Sequence, residues 1–282
     1  MAQSLVIILI PIYQEVPSEM ERMSLDQTLA ALHNFPISFM TPSRLNTTWY
    51  EDYCRGKATV VFERFEWSGY KAFNDMMIAP EFYQRFLAYK YMLIAHLDAF
   101  VFRDELEQWC STGYDYIGSV LYNGTSWDRP STWLRRLTGF TTPEYYACGG
   151  FALKNVNAFY QITKRFKSYI SVYDFVQRVR HKSAVVFDDL FVSRHFPKLS
   201  STFRMAPKAS AERFGAACMS LDAAGLPYDL NDDKSLPFGV HGWIQGRALW
   251  AKVVRRYGYP VPDDERRASP ATTKTIRTSQ AV

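Results

Sequence analysis

Short runs of apolar residues, each ended by a turn-forming or acidic residue, constrain the fold of this chain most strongly. Residues 5–10 form an unbroken apolar run that ends at Pro11, and residues 92–97 form a second run, interrupted only by His96, that ends at Asp98. Continuous runs of this length are typical of strands that are buried on both faces of a parallel sheet. Shorter runs at residues 37–40 and 60–62 predict two further strands of the same kind.

Helical periodicity separates these runs. Residues 24–32 carry leucines at helical spacing, with Ser24 as the expected cap, and residues 68–77 and 80–91 are also expected to be helical. Short buried strands that alternate with helices predict an α/β fold with a parallel sheet.

The second half of the chain continues less regularly. Residues 116–120 predict a strand, residues 122–146 a long loop over the site, residues 149–153 a strand, residues 156–169 a helix, and residues 236–243 a closing segment. No internal repeat is found. Residues 263–282 contain Ile276 as their single large apolar side chain. We therefore expect one folded domain over residues 1–261 and a disordered tail over residues 262–282.

Charge and cysteine content narrow the functional classes. A net charge of +5 favours a phosphate-bearing substrate or an anionic membrane surface, and no nucleic-acid recognition motif accompanies it. The four cysteines lack the spacing of a zinc site and predict reduced thiols in a cytosolic compartment. No apolar run is long enough to span a bilayer. We expect a cytoplasmic protein, with peripheral contact at the inner membrane face as an option.

Asp98 is the first candidate for chemistry. Ligands of open α/β sheets bind beyond the carboxyl ends of the strands, where Asp98 is expected to lie. A carboxylate held between two apolar segments would suit Mg²⁺ or Mn²⁺ that bridges two phosphates. The alternative is an aspartate that only ends the strand or caps a helix.

A second candidate cluster pairs two glycines with two acids. Gly149 and Gly150 would let the backbone approach a ligand closely, and Asp188 and Asp189 follow within an apolar segment. Burial beside a reacting hydroxyl would raise the pKa of one acid towards that of a general base. A pair of helix-capping acids is the alternative. Farther on, His241 lies between glycines and aromatic residues, as a ligand or as a structural histidine.

These segments together resemble a known family. They occur in the order seen in a largely uncharacterised bacterial and viral family of glycosyltransferase-like proteins, over roughly residues 4–250. The segments that carry the resemblance are Pro11-Ile-Tyr13, Gly69-Tyr70 with Asn74, His96-Leu-Asp-Ala-Phe-Val-Phe102, Trp109-Cys110 with Tyr114-Asp-Tyr-Ile-Gly118, Gly149-Gly-Phe-Ala-Leu153, Asp188-Asp-Leu-Phe191 and Leu236-Pro-Phe-Gly-Val-His241. The glycine pair and the acid pair are also similar to those of inverting β-1,3-galactosyltransferases and Fringe enzymes.

The resemblance implies a single GT-A-like domain, a mostly parallel sheet flanked by helices, that binds a nucleotide-sugar and Mn²⁺ or Mg²⁺. By the likeness, Asp98 matches the metal-binding acid of the DxD motif, Asp189 the catalytic base and His241 a late metal ligand. The implied donor-binding residues are Pro11, Tyr13, Tyr70, Asn74 and His96, and the implied acceptor or sugar contacts are Gly149, Gly150, Asp188 and Trp243. The second acid of the DxD motif is missing, because its candidate positions hold His96 and Phe100.

The sequence therefore predicts a metal-assisted, inverting glycosyltransferase that uses a nucleotide-sugar, with UDP as the expected nucleotide. In this hypothesis Tyr13 stacks on the base, and the basic, aromatic residues 133–136 take a glycan or lipid-linked acceptor of polysaccharide biosynthesis. Three alternatives remain: a non-catalytic nucleotide- or glycan-binding relative, a retaining transferase, and a nucleotidyltransferase. The last lacks the expected glycine-rich basic loop after the first strand.

Overall fold

The first three strands and their helices form a regular parallel unit. The computed structural model describes residues 3–121, 143–180, 185–217 and 226–262. Strands β1 (Ser4–Pro11), β2 (Ile37–Pro42) and β3 (Val60–Phe65) are parallel neighbours, and helices α1 (Glu19–Ala31) and α2 (Thr48–Cys54) connect them. The three strands predicted from the apolar runs are confirmed. β1 and β2 lie almost wholly within the core, and β2 buries Ser38 and Thr41 together with its apolar side chains.

Helix α1 begins earlier than the leucine spacing predicts. Its N-cap is Ser18, whose hydroxyl accepts the backbone N–H of Glu21 while the Glu21 carboxylate accepts the backbone N–H of Ser18. This capping box fixes the start of the helix, so the prediction of Ser24 as the cap is wrong. Ser24 lies inside the helix, where its hydroxyl accepts a hydrogen bond from the indole N–H of Trp243.

The segment predicted as one helix over residues 80–91 divides into a helix and a strand. After α3 (Gly69–Met77), helix α4 covers only Pro80–Gln84, and strand β4 begins at Tyr89 and ends at Ala95. Strand β4 pairs in parallel with β1 and antiparallel with a later strand, so sheet pairing determines the conformation of its tyrosine-rich start.

The remaining elements complete the sheet and cover it. They are β5 (Ala99–Val101), α5 (Leu106–Ser111), β6 (Tyr116–Leu121), β7 (Tyr146–Asn155), α6 (Val156–Arg165), α7 (Lys167–Arg180), α8 (Asp188–Leu199), α9 (Lys208–Phe214), β8 (Gly215–Ala217), β9 (Gly239–His241) and α10 (Arg247–Arg256). The helix predicted over residues 156–169 is thus two helices that reach residue 180. Most of the loop predicted over residues 122–146 lies outside the described residues, as does the tail from residue 263.

The described residues form one nine-stranded sheet in the order β3-β2-β1-β4-β7-β6-β8-β9-β5. Five of the neighbouring pairs are parallel, and the antiparallel pairs are β4–β7, β6–β7 and β5–β9. The expectation of a mostly parallel sheet flanked by helices is confirmed. Long β7 passes beside the end of β4, and this geometry positions the candidate site.

None of the helices in the described ranges has the length and apolar character needed to cross a bilayer. Three cysteines, Cys54, Cys110 and Cys148, are buried and free, whereas Cys218 lies outside the described residues.

Candidate active site

The turn after strand β4 positions Asp98. The chain leaves β4 at Ala95 and re-enters the sheet at Ala99, whose N–H donates to the carbonyl of His96 at 2.9 Å. The backbone carbonyl of Asp98 accepts the N–H groups of Gly242 and Trp243 at 3.0 and 3.3 Å. Gly242 adopts a φ of 72°, a left-handed conformation that glycine reaches without strain. This turn therefore fixes the segment after β9 directly against Asp98.

Pairing of β5 with β9 brings a histidine to the same place. Ala99 lies opposite His241 in the antiparallel register, and Oδ1 of Asp98 lies 3.2 Å from Nε2 of His241. His96 completes the cluster, with its ring edge-on to that of His241 at a centroid distance of 5.5 Å. Each of the three residues offers a ligand atom within 4.8 Å of the others. The arrangement can hold a divalent cation with two imidazoles and one carboxylate.

Asp98 and His241 form an ion pair in this cluster. Burial raises the pKa of Asp98, but the charge and hydrogen bond of His241 outweigh burial and hold this pKa well below its usual range. Burial lowers the pKa of His241, but Cys148 and Asp98 raise it further, to well above its ordinary value. Burial and the neighbouring His241 lower the pKa of His96 to about 4. Asp98 is therefore ionised and His96 neutral at neutral pH, whereas His241 is protonated beside Asp98 and would release its proton on binding a metal.

Cys148 contacts the other side of the His241 ring. Its Sγ atom lies 3.3 Å from Nδ1 of His241, so both ring nitrogens have a partner. A partner on the second nitrogen fixes the orientation of a ligating imidazole. No sequence pattern predicts this contact, because 93 residues separate the two side chains.

The first turn of helix α8 carries the two acids. Oδ2 of Asp189 accepts the N–H of Gly149 at 3.1 Å, and Oδ1 accepts the N–H of Leu190 at 2.7 Å. Burial, followed by the charge of Asp188, raises the pKa of Asp189 to about 6, against the opposing effect of these hydrogen bonds and of Lys154. Asp189 thus has the acidity that a general base requires near neutral pH.

Asp188 has different partners. Its carboxylate lies 3.3 Å from the ammonium group of Lys154, which is fully buried and also donates to the hydroxyl of Tyr83. The backbone N–H of Asp188 donates to the side-chain oxygen of Asn74. The two adjacent acids lie in the first turn of a helix, and their side chains have separate partners. Sequence reasoning missed Lys154, whose signal was a lysine at the end of a buried strand.

Two glycines of β7 join the acid pair to the histidine cluster. A side-chain carbon on Gly150 would lie 2.2 Å from Nε2 of His241, and one on Gly149 would lie 3.3 Å from the Cβ of Asp189. The Gly150 carbonyl also accepts the N–H of His96 at 2.8 Å. The β6–β7 register shifts at this point, from the pair Gly118–Ala152 to the pair Ser119–Cys148. This irregularity brings both clusters against one short segment of strand.

The residues predicted to bind the donor divide between the two clusters. Pro11 ends β1, and exposed Tyr13 follows it; partial burial of the phenol, followed by the charges of Glu21 and Asp98, raises the pKa of Tyr13. Tyr70 lies on the acid side, where its exposed ring contacts Phe187 edge-on. Buried Asn74 links Asp188 to the backbone of Tyr70.

Two predicted acceptor contacts do not reach the surface as expected. Trp243 is fully buried in a cluster with Phe100 and donates to Ser24, so the prediction that it contacts an acceptor is wrong. Asp188 is nearly buried and engages Lys154 rather than the open side of the site. Residues 133–136, predicted to take the acceptor, lie outside the described residues.

The fold is of the GT-A type, an α/β architecture with a mostly parallel sheet flanked by helices. The chain belongs to the family described as "Protein of unknown function (DUF5672)", whose family model matches residues 58–241. No curated protein sequence matches the chain.

Solved structures with a similar fold are glycosyltransferases. The bifunctional glycosyltransferase WbbM in its apo form is 14% identical, with 90% of this chain and 51% of that chain covered and a TM-score of 0.50. Mouse xyloside xylosyltransferase 1, apo form, is 11% identical, with 85% and 97% covered and a TM-score of 0.50. Apo GlyE of Streptococcus pneumoniae TIGR4 is 8% identical, with 90% and 63% covered and a TM-score of 0.48. The chain thus spans about half the length of WbbM, and at these identities the likeness shows the fold alone.

Proposed function

We propose that this protein is a metal-dependent glycosyltransferase that moves a sugar from a nucleotide-sugar to a glycan or lipid-linked acceptor. One observation carries the proposal. The His–Asp–His cluster lies beside Gly150 of β7, and the carboxylate of Asp189, whose pKa is raised, lies beside the neighbouring Gly149. A leaving diphosphate needs positive charge, and an acceptor hydroxyl needs a base, so the two clusters supply the two halves of one transfer reaction.

The residues of the histidine cluster fit a divalent metal. Asp98, His241 and His96 would hold it, and Gly150 leaves the space that His241 occupies. Two imidazole ligands favour Mn²⁺ over Mg²⁺, because Mg²⁺ prefers oxygen ligands and keeps its waters. When bound, the metal would neutralise the charge of the leaving diphosphate. His96 would thereby replace the missing second acid of the DxD motif, rather than bind the nucleotide base.

The nucleotide would lie over the end of β1. Tyr13 is exposed there, so its ring is available to stack on a base while the diphosphate approaches the cluster. Pro11 ends the strand and directs the chain into this loop. UDP is the nucleotide that the likeness to the β-1,3-galactosyltransferases and Fringe enzymes favours.

Asp189 would act as the base in an inverting displacement. Its carboxylate takes the proton of the acceptor hydroxyl as the acceptor oxygen bonds to the anomeric carbon. The bond between that carbon and the phosphate oxygen breaks, and the nucleoside diphosphate leaves with the electron pair. The N–H groups of Gly149 and Leu190 hold the carboxylate in one orientation, while the charge of Asp188 is balanced by Lys154.

Turnover of a nucleotide-sugar panel tests the proposal. Release of nucleoside diphosphate is measured with Mn²⁺, with and without glycan acceptors, for the wild type and for Asp189→Asn. The variant keeps the size of the side chain but cannot accept the proton, so we expect a loss of roughly 100- to 10,000-fold. Asp52→Asn, at an exposed position on α2, is the matched control.

The outcomes separate the alternatives. Full activity of Asp189→Asn would remove the base and favour a retaining mechanism, which the anomeric configuration of the product would show. Binding of a nucleotide without turnover of any sugar would favour the non-catalytic relative.

A further inference from the structure

Helix α7 exposes a stripe of apolar side chains. Val172, Phe175, Val176 and Val179 are 61, 65, 39 and 68% exposed. Their spacing of three, four and seven residues places all four on one face of the helix. A helix that only covers the core would present polar residues on its outer face. The described part of the chain does not bury this stripe, so another explanation is needed for its apolar side chains.

The opposite face of α7 already packs against the domain. Ile170 is buried, and Tyr173 contacts the ring of Phe191 on α8 at a centroid distance of 5.1 Å. Asp174 forms an ion pair with Arg178 on the same helix. The helix is therefore held in place by one face, and the apolar stripe is free to contact a second surface.

The sequence around this stripe is rich in basic residues, of which Lys167 pairs with Glu81 and Arg178 with Asp174. Residues 164–182 include six of the 33 lysines and arginines of the chain but one of its 28 acidic residues. The excess of five positive charges equals the net charge of the whole protein, so the rest of the chain is neutral overall. Lys164 and Arg165 are exposed at the end of α6 that leads into α7.

We propose that α7 docks the protein onto a membrane surface of anionic phospholipid. A helix that lies in a bilayer interface buries an apolar face among the acyl chains and keeps basic residues at the level of the headgroups. The stripe on α7 and the exposed basic end of α6 at Lys164 and Arg165 provide both features. The charge complementarity selects anionic lipid over a neutral apolar partner.

The docked helix would hold the site close to the lipid surface. Seven residues separate the end of α7 from Asp188 in the sequence, and Arg178 lies within ion-pair distance of Asp75 on α3, which also carries Tyr70. This consequence rests on the proposed function, since it would present the base to a lipid-linked acceptor. The docking itself does not, and vesicle binding is measured without any turnover.

Co-sedimentation of the full chain with vesicles tests the proposal. We expect binding to phosphatidylcholine vesicles that contain 30% phosphatidylglycerol, and at least about tenfold weaker binding to phosphatidylcholine alone. Phe175→Ser with Val179→Ser should weaken binding by about tenfold or more, because membrane affinity scales with buried apolar area. Lys164→Gln with Arg165→Gln should weaken it by roughly fivefold per charge at low salt.

A matched control removes apolar side chains elsewhere. Val16→Ser with Val61→Ser changes two similarly exposed valines and should leave binding unchanged. Equal thermal midpoints for the variants would show that each is folded. Absence of binding to anionic vesicles, or equal binding to both lipid compositions, would overturn the proposal. A dimer that Phe175→Ser with Val179→Ser dissociates, without vesicle binding by the wild type, would also overturn it and assign the stripe to self-association.

Discussion

Replacing Lys154 by Met gives a stringent test of the buried ion pair behind the site. Lys154 is fully buried, and the side chain of Asp188 is only 10% exposed, so removal of the ammonium group leaves a carboxylate without its counter-ion. Met keeps the length and most of the volume of the side chain, which limits the loss of packing against Tyr83 and Phe159. The change therefore isolates the charge.

The structure sets the magnitude of the effect. Breaking a buried pair by removing one partner typically costs about 3–5 kcal/mol. Protonation of the unpaired carboxylate limits this loss of stability. Protonating a carboxyl group of ordinary acidity costs about 4 kcal/mol at pH 7 and about 1.5 kcal/mol at pH 5. We therefore expect Lys154→Met to lower the free energy of unfolding by about 3–4 kcal/mol at pH 7, and by about 1.5 kcal/mol at pH 5.

Urea unfolding at the two pH values measures these losses. Lys164→Met, on the exposed surface of α6, is the control and should cost little at either pH. Adding Asp188→Asn to Lys154→Met removes both charges and should restore most of the stability at pH 7. A loss below about 1 kcal/mol at pH 7, or an equal loss at both pH values, would refute a charge-compensating role for Lys154.

Three further predictions concern the site and the chain end. Gly150→Ala should reduce metal-dependent nucleotide binding far more than Gly149→Ala, because its added carbon would displace His241; equal effects in a titration of Mn²⁺ would contradict this. Because the pKa of Asp189 is raised to about 6 and the base must be ionised, kcat/KM should increase about tenfold per pH unit below pH 6 and level off above it. A flat pH–rate profile would remove Asp189 from catalysis. A chain that ends at Pro262 should melt within about 2 °C of the full chain, because the removed residues contain one large apolar side chain; a larger decrease would show that they dock.

The sequence was most informative where one physical effect dominated. The apolar runs at β1 and β4 could only be buried strands, and the alternation with helices predicted the α/β class. Boundaries of helices and strands were harder to predict, because more than one local pattern was compatible with the sequence. The Ser18 capping box lay six residues before the predicted cap, and the tyrosines that begin β4 have no local feature to distinguish strand from helix.

In the candidate site, single residues were predictable from the sequence, whereas their arrangement in space was not. Asp98, Asp189 and His241 were predicted separately, from strand ends, paired acids and a resemblance. Their arrangement depends on the pairing of β5 with β9 across some 140 residues and on the β7 irregularity at the glycine pair. The contact of Cys148 with His241 exists only in the folded chain, and the lysine at the end of a buried strand, Lys154, marks a buried charge without naming its partner Asp188.

Metal-dependent nucleotide binding tests the central claim most directly. Calorimetric titration of UDP into the wild type, with Mn²⁺ and with EDTA, measures whether the His–Asp–His cluster recruits a diphosphate. We expect at least about tenfold tighter binding with Mn²⁺, and loss of this enhancement in Asp98→Ala but not in the exposed control Asp52→Ala. Equal affinity in Mn²⁺ and EDTA for the wild type, or an enhancement that survives in Asp98→Ala, would contradict the account.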